Sequence, residues 1–150
     1  MGTVKYSHTN LITTDWKRIS KFYMDVFDCV PSGPVRQLSG RTVEDGTSVS
    51  NANIEGIHLR LPGHGNSGPT LEIFQYRNVL QQNETFANSK GYTHIAFEVS
   101  DLDETCRKVV KAGGWMLGKL AHQPVEGVGV CTFVYVRDPD RNIIEIQSWE

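Results

Sequence analysis

Two stretches of this 150-residue chain read alike, and that repeat narrows the possible folds more than any other feature. His8-Thr9-Asn10-Leu11-Ile12-Thr13-Thr14-Asp15 leads into Trp16 to Asp28. His94-Ile95-Ala96-Phe97-Glu98-Val99-Ser100-Asp101 leads into Leu102 to Gly113. In each, a histidine opens a β-prone run and an aspartate follows seven residues later (15 − 8 = 7; 101 − 94 = 7). The aspartate, or Thr14 or Ser100 before it, suits the N-cap of a helix. The helices themselves show in the spacing. Trp16, Ile19, Phe22, Tyr23, Val26 and Phe27 recur every three or four residues, as do Leu102, Cys106, Val109 and Val110. Gly113-Gly114 closes the second.

Strand candidates follow each helix. In the first half they are Cys29–Leu38 (broken by Pro31 and Pro34), Ile54–Leu61 and Thr70–Tyr76. In the second they are Trp115–Leu120, Val130–Arg137 and Ile143–Ser148. These runs are rich in β-branched and aromatic residues and bounded by turn formers. Asp138-Pro139-Asp140 marks a tight turn into the last strand. The expected class is α+β: two tandem βαβββ modules, 1–78 and 92–150, joined by a polar linker, 79–91, in one compact unit. The strands would form a curved mixed sheet around a cleft, with helices outside. His8 to Glu72 spans 64 positions and His94 to Glu145 spans 51, so the first half carries 13 extra residues (64 − 51 = 13). They fall around Ser39 to Asn53, which reads as a long loop or lid.

Composition removes several functions. Charged residues make up 21% of the chain, and the net charge of −2 has both signs interspersed, so nothing invites nucleic acid. No apolar run approaches the ~20 residues that span a bilayer. The first ten residues lack a secretory pattern, so a cytoplasmic protein is expected. Cys29, Cys106 and Cys131 are an odd number without a CxxC pair, and read as small buried hydrophobes.

The repeat also pairs chemistry-bearing residues. His8 and His94 open the first strand of each half; Glu72 and Glu145 lie in the last, in Leu71-Glu72-Ile73 and Ile144-Glu145-Ile146. Strand neighbours alternate faces, so each glutamate points away from its apolar neighbours. Taken singly, each glutamate reads as solvent-facing and His94 as a structural histidine. Taken as a repeat, the four would converge on one cleft. Neutral imidazole with carboxylate suits a borderline divalent metal ion.

At these residues the chain resembles the vicinal oxygen chelate superfamily of glyoxalase I, methylmalonyl-CoA epimerase, extradiol dioxygenases, fosfomycin-resistance enzymes and bleomycin-binding proteins. The resemblance rests on His8…Asp15 with Ser20-Lys21-Phe22-Tyr23, Leu71-Glu72-Ile73-Phe74, His94-Ile95-Ala96-Phe97 with Asp101-Leu102-Asp103, and Asp138-Pro139-Asp140 with Ile144-Glu145-Ile146. It implies one divalent ion (Ni, Co, Zn, Mn or Fe) held by His8, Glu72, His94 and Glu145. The order His, Glu, His, Glu is similar to bacterial glyoxalase I. Dioxygenase-like and fosfomycin-type members would use only His8, His94 and Glu145. The epimerase usually has an amide at the second position.

The implied reaction is removal of a proton next to a carbonyl, by a lyase or isomerase, with Glu145 as the first candidate base and Glu72 the second. Ile12 stands where glyoxalase I usually has a glutathione-binding arginine, and Tyr76 where it often has asparagine. The implied small-molecule substrate is therefore not a glutathione hemithioacetal. The alternatives are an Fe(II)-dependent dioxygenase and a non-catalytic drug- or metabolite-binding protein. Relatives build the site within one chain or across two, and a homodimer is expected either way. His58, Tyr92 and, in the long loop, Arg41 are candidate substrate contacts. His64 and His122 read as solvated loop residues, and Trp115, Phe74 and Phe97 as core. Arg141 occupies a turn position usually held by glycine.

Overall fold

The computed structural model of the chain describes residues 2–150, which form two compact units. One holds the chain up to Met24 together with Asp28–Gln81; the other holds Asp25–Phe27 and Gln82–Glu150. The first runs β1 (His8–Ile12), α1 (Trp16–Phe27), β2 (Val30–Pro31), β3 (Arg36–Ser39), α2 (Arg41–Thr47), β4 (Asn53–Arg60) and β5 (Thr70–Tyr76). The second runs β6 (His94–Glu98), α3 (Leu102–Lys111), β7 (Trp115–Met116), β8 (Ala121–Val125), β9 (Gly129–Arg137) and β10 (Ile143–Trp149). The last residues of α1 group with the second unit, where Phe27 stacks on Phe97 at 4.1 Å. No helix among the described residues is long and apolar enough to cross a membrane.

The α+β reading of paired βαβββ modules holds, with the strands in two five-stranded mixed sheets of matching order, β1-β5-β4-β2 and β6-β10-β9-β7. β1 runs parallel to β5 and β6 parallel to β10; the other pairings are antiparallel. In both halves the strand after the long helix is cut into two pieces on one neighbour: β2 and β3 on β4, β7 and β8 on β9. The two N-caps also match. Asp15 accepts from the Arg18 amide at 3.0 Å and Asp101 from the Glu104 amide at 2.8 Å.

Alternation gives each sheet two unlike faces. Ile57, Leu59, Leu71 and Ile73 are buried on one face of the first sheet, and Val134, Val136, Ile144 and Ile146 on the matching face of the second, against which α3 packs. The opposite faces carry His8, His58 and Glu72 in the first sheet and His94 and Glu145 in the second. Phe74, on that opposite face, is buried because Gly56 lies across from it in register; a Cβ at Gly56 would come within 2.6 Å of the Phe74 ring.

Four expectations are corrected. The extra stretch around Ser39 to Asn53 is not all loop: it contains α2, held by an Arg41–Asp45 pair at 2.9 Å and closed by Ser48 at φ 58°. Its polar sequence hid it, because none of its residues is buried and no apolar face forms. His122 is on strand β8, not in a loop, with Nδ1 2.8 Å from the Thr132 hydroxyl. Among the described residues β8 pairs only with β9, and an edge strand tolerates the Pro124 that disguised it. Trp115 is 39% exposed on the two-residue β7, where the short pairing leaves the ring uncovered. Cys106 is only partly buried, because its helical position lies off the axis of the buried Thr105 and Val109. Cys29 and Cys131 are buried; burial, with the Asp28 charge adding, pushes the Cys29 thiol up to about 12.

The β9–β10 turn is built by the buried Asp138, whose carboxylate accepts from the amides of Asp140 and Asn142 and from the Asn142 side chain, each at 2.9 Å. Arg141 sits there at φ 74°. A Cβ in the left-handed region is strained. Arg141→Gly should therefore stabilise the protein by about 0.5–1 kcal/mol, the strain relief exceeding the added freedom of the unfolded chain. The shift in denaturant midpoint at constant slope measures it.

Candidate functional site

Strand register, more than sequence distance, decides what meets what. In the first unit Glu72 lies between Asn10 on β1 and His58 on β4. In the second, Glu145 lies between Ala96 on β6 and Tyr135 on β9. The rows are equivalent, so Asn10 matches Ala96 and His58 matches Tyr135. Each histidine stands two residues before the flanking residue on its strand, on the same face.

The structure brings the expected residues together in two pairs. His94 Nε2 is 3.1 Å from Glu145 Oε2, and His8 Nε2 is 3.8 Å from Glu72 Oε1. The glutamate side chains are 14% and 17% exposed at positions 72 and 145, so each carboxylate is sheltered but reachable. Both histidines are oriented in the same way. His8 Nδ1 is 3.3 Å from the Ser7 hydroxyl and His94 Nδ1 is 3.3 Å from the Thr93 hydroxyl, which leaves Nε2 toward the glutamate. Adjacent ligands of one ion, each at ~2.1 Å, lie roughly 3 Å apart. The His94–Glu145 pair matches that spacing, and imidazole with carboxylate suits a borderline divalent ion. Among the described residues, no group of three or more His, Cys, Asp or Glu is gathered as a ready metal site.

Around these pairs the two units differ. Glu72 Oε1 accepts a hydrogen bond from Asn10 Nδ2 at 2.7 Å, and Glu72 Oε2 lies 2.9 Å from His58 Nε2. His58 Nδ1 is 3.0 Å from the Thr70 hydroxyl. Burial lowers the His58 pKa, and the charges of Arg36 and His8 add to this against the upward pull of Glu72. Among the described residues Glu145 has no counterpart of these two partners, its one ion pair being with His94. Tyr135 lies across from it with its ring 5.1 Å from that of His94, and burial followed by the Glu145 charge raises the tyrosine pKa.

Of the candidate substrate contacts, His58 is in the first unit's polar row. Tyr92 is fully exposed at the mouth of a polar cavity of about 200 Å³ that Thr93, Asp140, Arg141 and Asn142 also line. Arg41 lies on α2 rather than in a loop, with its guanidinium on Asp45. Sequence reasoning missed Asn10, Tyr135, Ser7 and Thr93. A hydroxyl residue before each histidine was there to be read, as part of the same repeat. Asn10 and Tyr135 needed the strand register.

A sequence profile described as the Glyoxalase/Bleomycin resistance protein/Dioxygenase superfamily matches residues 5–146. No curated protein matches significantly. Among solved structures, a glyoxalase family protein from Bacillus cereus is similar with a TM-score of 0.80 at 14% identity, over 99% of this chain and 96% of that one. The fosfomycin resistance protein FosX from Mesorhizobium loti has a TM-score of 0.52 at 22% identity, over 97% and 91%. A variant of FosX from Listeria monocytogenes, complexed with Mn(II) and 1S,2S-dihydroxypropylphosphonic acid, has 0.55 at 18%, over 97% and 92%. At these identities the likeness is one of fold.

Proposed function

This chain belongs to the Glyoxalase/Bleomycin resistance protein/Dioxygenase superfamily, and from that premise we propose that it is a divalent-metal-dependent enzyme that removes a proton next to the carbonyl of a small-molecule substrate. The observation that supports this is the doubled pair: a histidine Nε2 facing a sheltered glutamate at equivalent places in both units. His8, Glu72, His94 and Glu145 would hold the ion. The Nδ1 contacts of Ser7 and Thr93 suit that role, because a metal-bound imidazole is steadied through its other nitrogen.

When bound, a divalent ion supplies electrophilic polarisation of a substrate oxygen. The chain supplies the rest. Glu145 accepts the proton from the carbon next to that carbonyl and returns it on the same face to the neighbouring carbon, as in an isomerase. Tyr135 walls the position beside it. Ile12 is 40% exposed on the face of His8 and Asn10, so that position offers a substrate carboxylate no charged donor. This favours a substrate that is not a glutathione hemithioacetal.

Metal analysis of the purified protein tests the ligand set. Glu72→Gln and His94→Ala should each lose most of the bound metal, and normal occupancy in both would sink the four-ligand reading. Incorporation of solvent deuterium next to the carbonyl of candidate substrates tests the reaction. Oxygen consumption by the ferrous form, without exchange, would point to ring cleavage instead.

A further inference from the structure

The two glutamates occupy equivalent places but unequal surroundings. Both Glu72 oxygens are already engaged, one by Asn10 Nδ2 at 2.7 Å and the other by His58 Nε2 at 2.9 Å. The His58 ring is fixed in turn. Its Nδ1 faces the Thr70 hydroxyl at 3.0 Å, and the Phe74 ring meets it edge-on at 5.6 Å. If the threonine donates to Nδ1, Nε2 carries the proton and donates to Glu72. Gly56 completes the support, since any side chain there would displace Phe74. At Glu145 the place of Asn10 is taken by Ala96, which has no donor, and the place of His58 by Tyr135. Among the described residues His94 is the only polar side chain paired with Glu145.

We propose that Asn10 and His58 are positioning residues that clamp Glu72 as the fixed carboxylate of the metal site, while the lack of both partners leaves Glu145 as the carboxylate free to move. The inference rests on the four-ligand reading above. Each carboxylate oxygen has two lone pairs, so the clamp leaves one on each oxygen of Glu72 for an ion. A ligand gains from being held in one orientation. A base that must approach and leave a carbon does not. The repeat's broken symmetry thus divides two roles between residues that the sequence presents as equals.

The test is calorimetric titration of Mn²⁺ into metal-stripped full-length protein, with the melting temperature of each stripped variant recorded alongside. Asn10→Ala and His58→Leu should weaken Mn²⁺ binding by about 10–100-fold, the usual effect of removing a ligand's hydrogen-bond partner. His58→Gln, which keeps a donor, should recover most of the loss. His122→Gln, at an exposed histidine with a similar threonine contact, should bind as the parent does. Asn10 is exposed, so its truncation leaves the core intact and decides the matter even if His58→Leu does not fold. Parent-like Mn²⁺ binding by Asn10→Ala overturns the clamp provided that Glu72→Gln binds weakly. Parent-like binding by Glu72→Gln removes Glu72 from the ligand set, and the clamp with it, while His94→Ala reports separately on the rest of the site.

Discussion

Glutamine at position 145 should slow carbon-to-solvent proton exchange by about 10²–10⁴-fold, the usual worth of a positioned general base. The substitution keeps the size and one coordinating oxygen but removes the basicity. KM should change much less than kcat, because the lost interaction belongs to proton transfer rather than to substrate binding. Glu72→Gln should behave differently and lose metal first, with its residual activity following metal content. The pair of variants therefore separates base from ligand, although both residues lie in equivalent strands. The measurements are deuterium incorporation into a responsive substrate and the metal content of the same samples. An unchanged exchange rate in Glu145→Gln, with metal bound, would remove Glu145 from this role.

That contrast depends on a difference between the halves that sequence could not supply. The repeat itself was open to reading, because period-two and period-3.6 patterning, an aspartate cap and a histidine recur at fixed offsets. Those are local signals, and they located α1, α3 and the strands β4, β5, β9 and β10. The signal failed where an element has no buried face. The helix α2 has no buried residue, and β8 is an edge strand with exposed His122 and Pro124. Trp115 misled for a related reason. An indole invites a core assignment, but a two-residue edge strand leaves it 39% exposed.

The site was legible to the level of which residue types recur, and no further. His58 is 14 residues from Glu72, whereas Tyr135 is 10 from Glu145 (72 − 58 = 14; 145 − 135 = 10). Nothing in those numbers marks the two as equivalents, because the connecting loops differ in length. Register does, by placing each directly across from its glutamate. Asn10 was passed over for the same reason: an amide in a β-prone run gains meaning only when its cross-strand partner is known.

The largest stability effect is expected at Arg137, a residue outside both metal pairs. Its side chain is 1% exposed. Nη1 donates to the Arg141 carbonyl, Nη2 donates to the Thr85 carbonyl at 2.7 Å, and Glu84 lies 3.5 Å from Nη2. Removing a guanidinium from water costs several kcal/mol unless its donors are satisfied, and here backbone oxygens do most of that. Arg137→Ala would leave both carbonyls without their donor and open a cavity, at a cost of about 3–5 kcal/mol. Arg137→Lys should recover only part, since an ammonium lacks the planar fork that reaches two carbonyls at once. Glu84→Gln should cost under about 1 kcal/mol, because its side chain is 45% exposed and its charge is screened. The loss also has a route to function. Thr85 belongs to the segment before β6, and the same segment delivers Thr93 to Nδ1 of His94. Loosening it should speed proteolysis within residues 82–93 and weaken metal binding together. Denaturant unfolding gives the first quantity and limited proteolysis the second; a cost below about 1 kcal/mol for Arg137→Ala would show that the buried guanidinium does not anchor this segment.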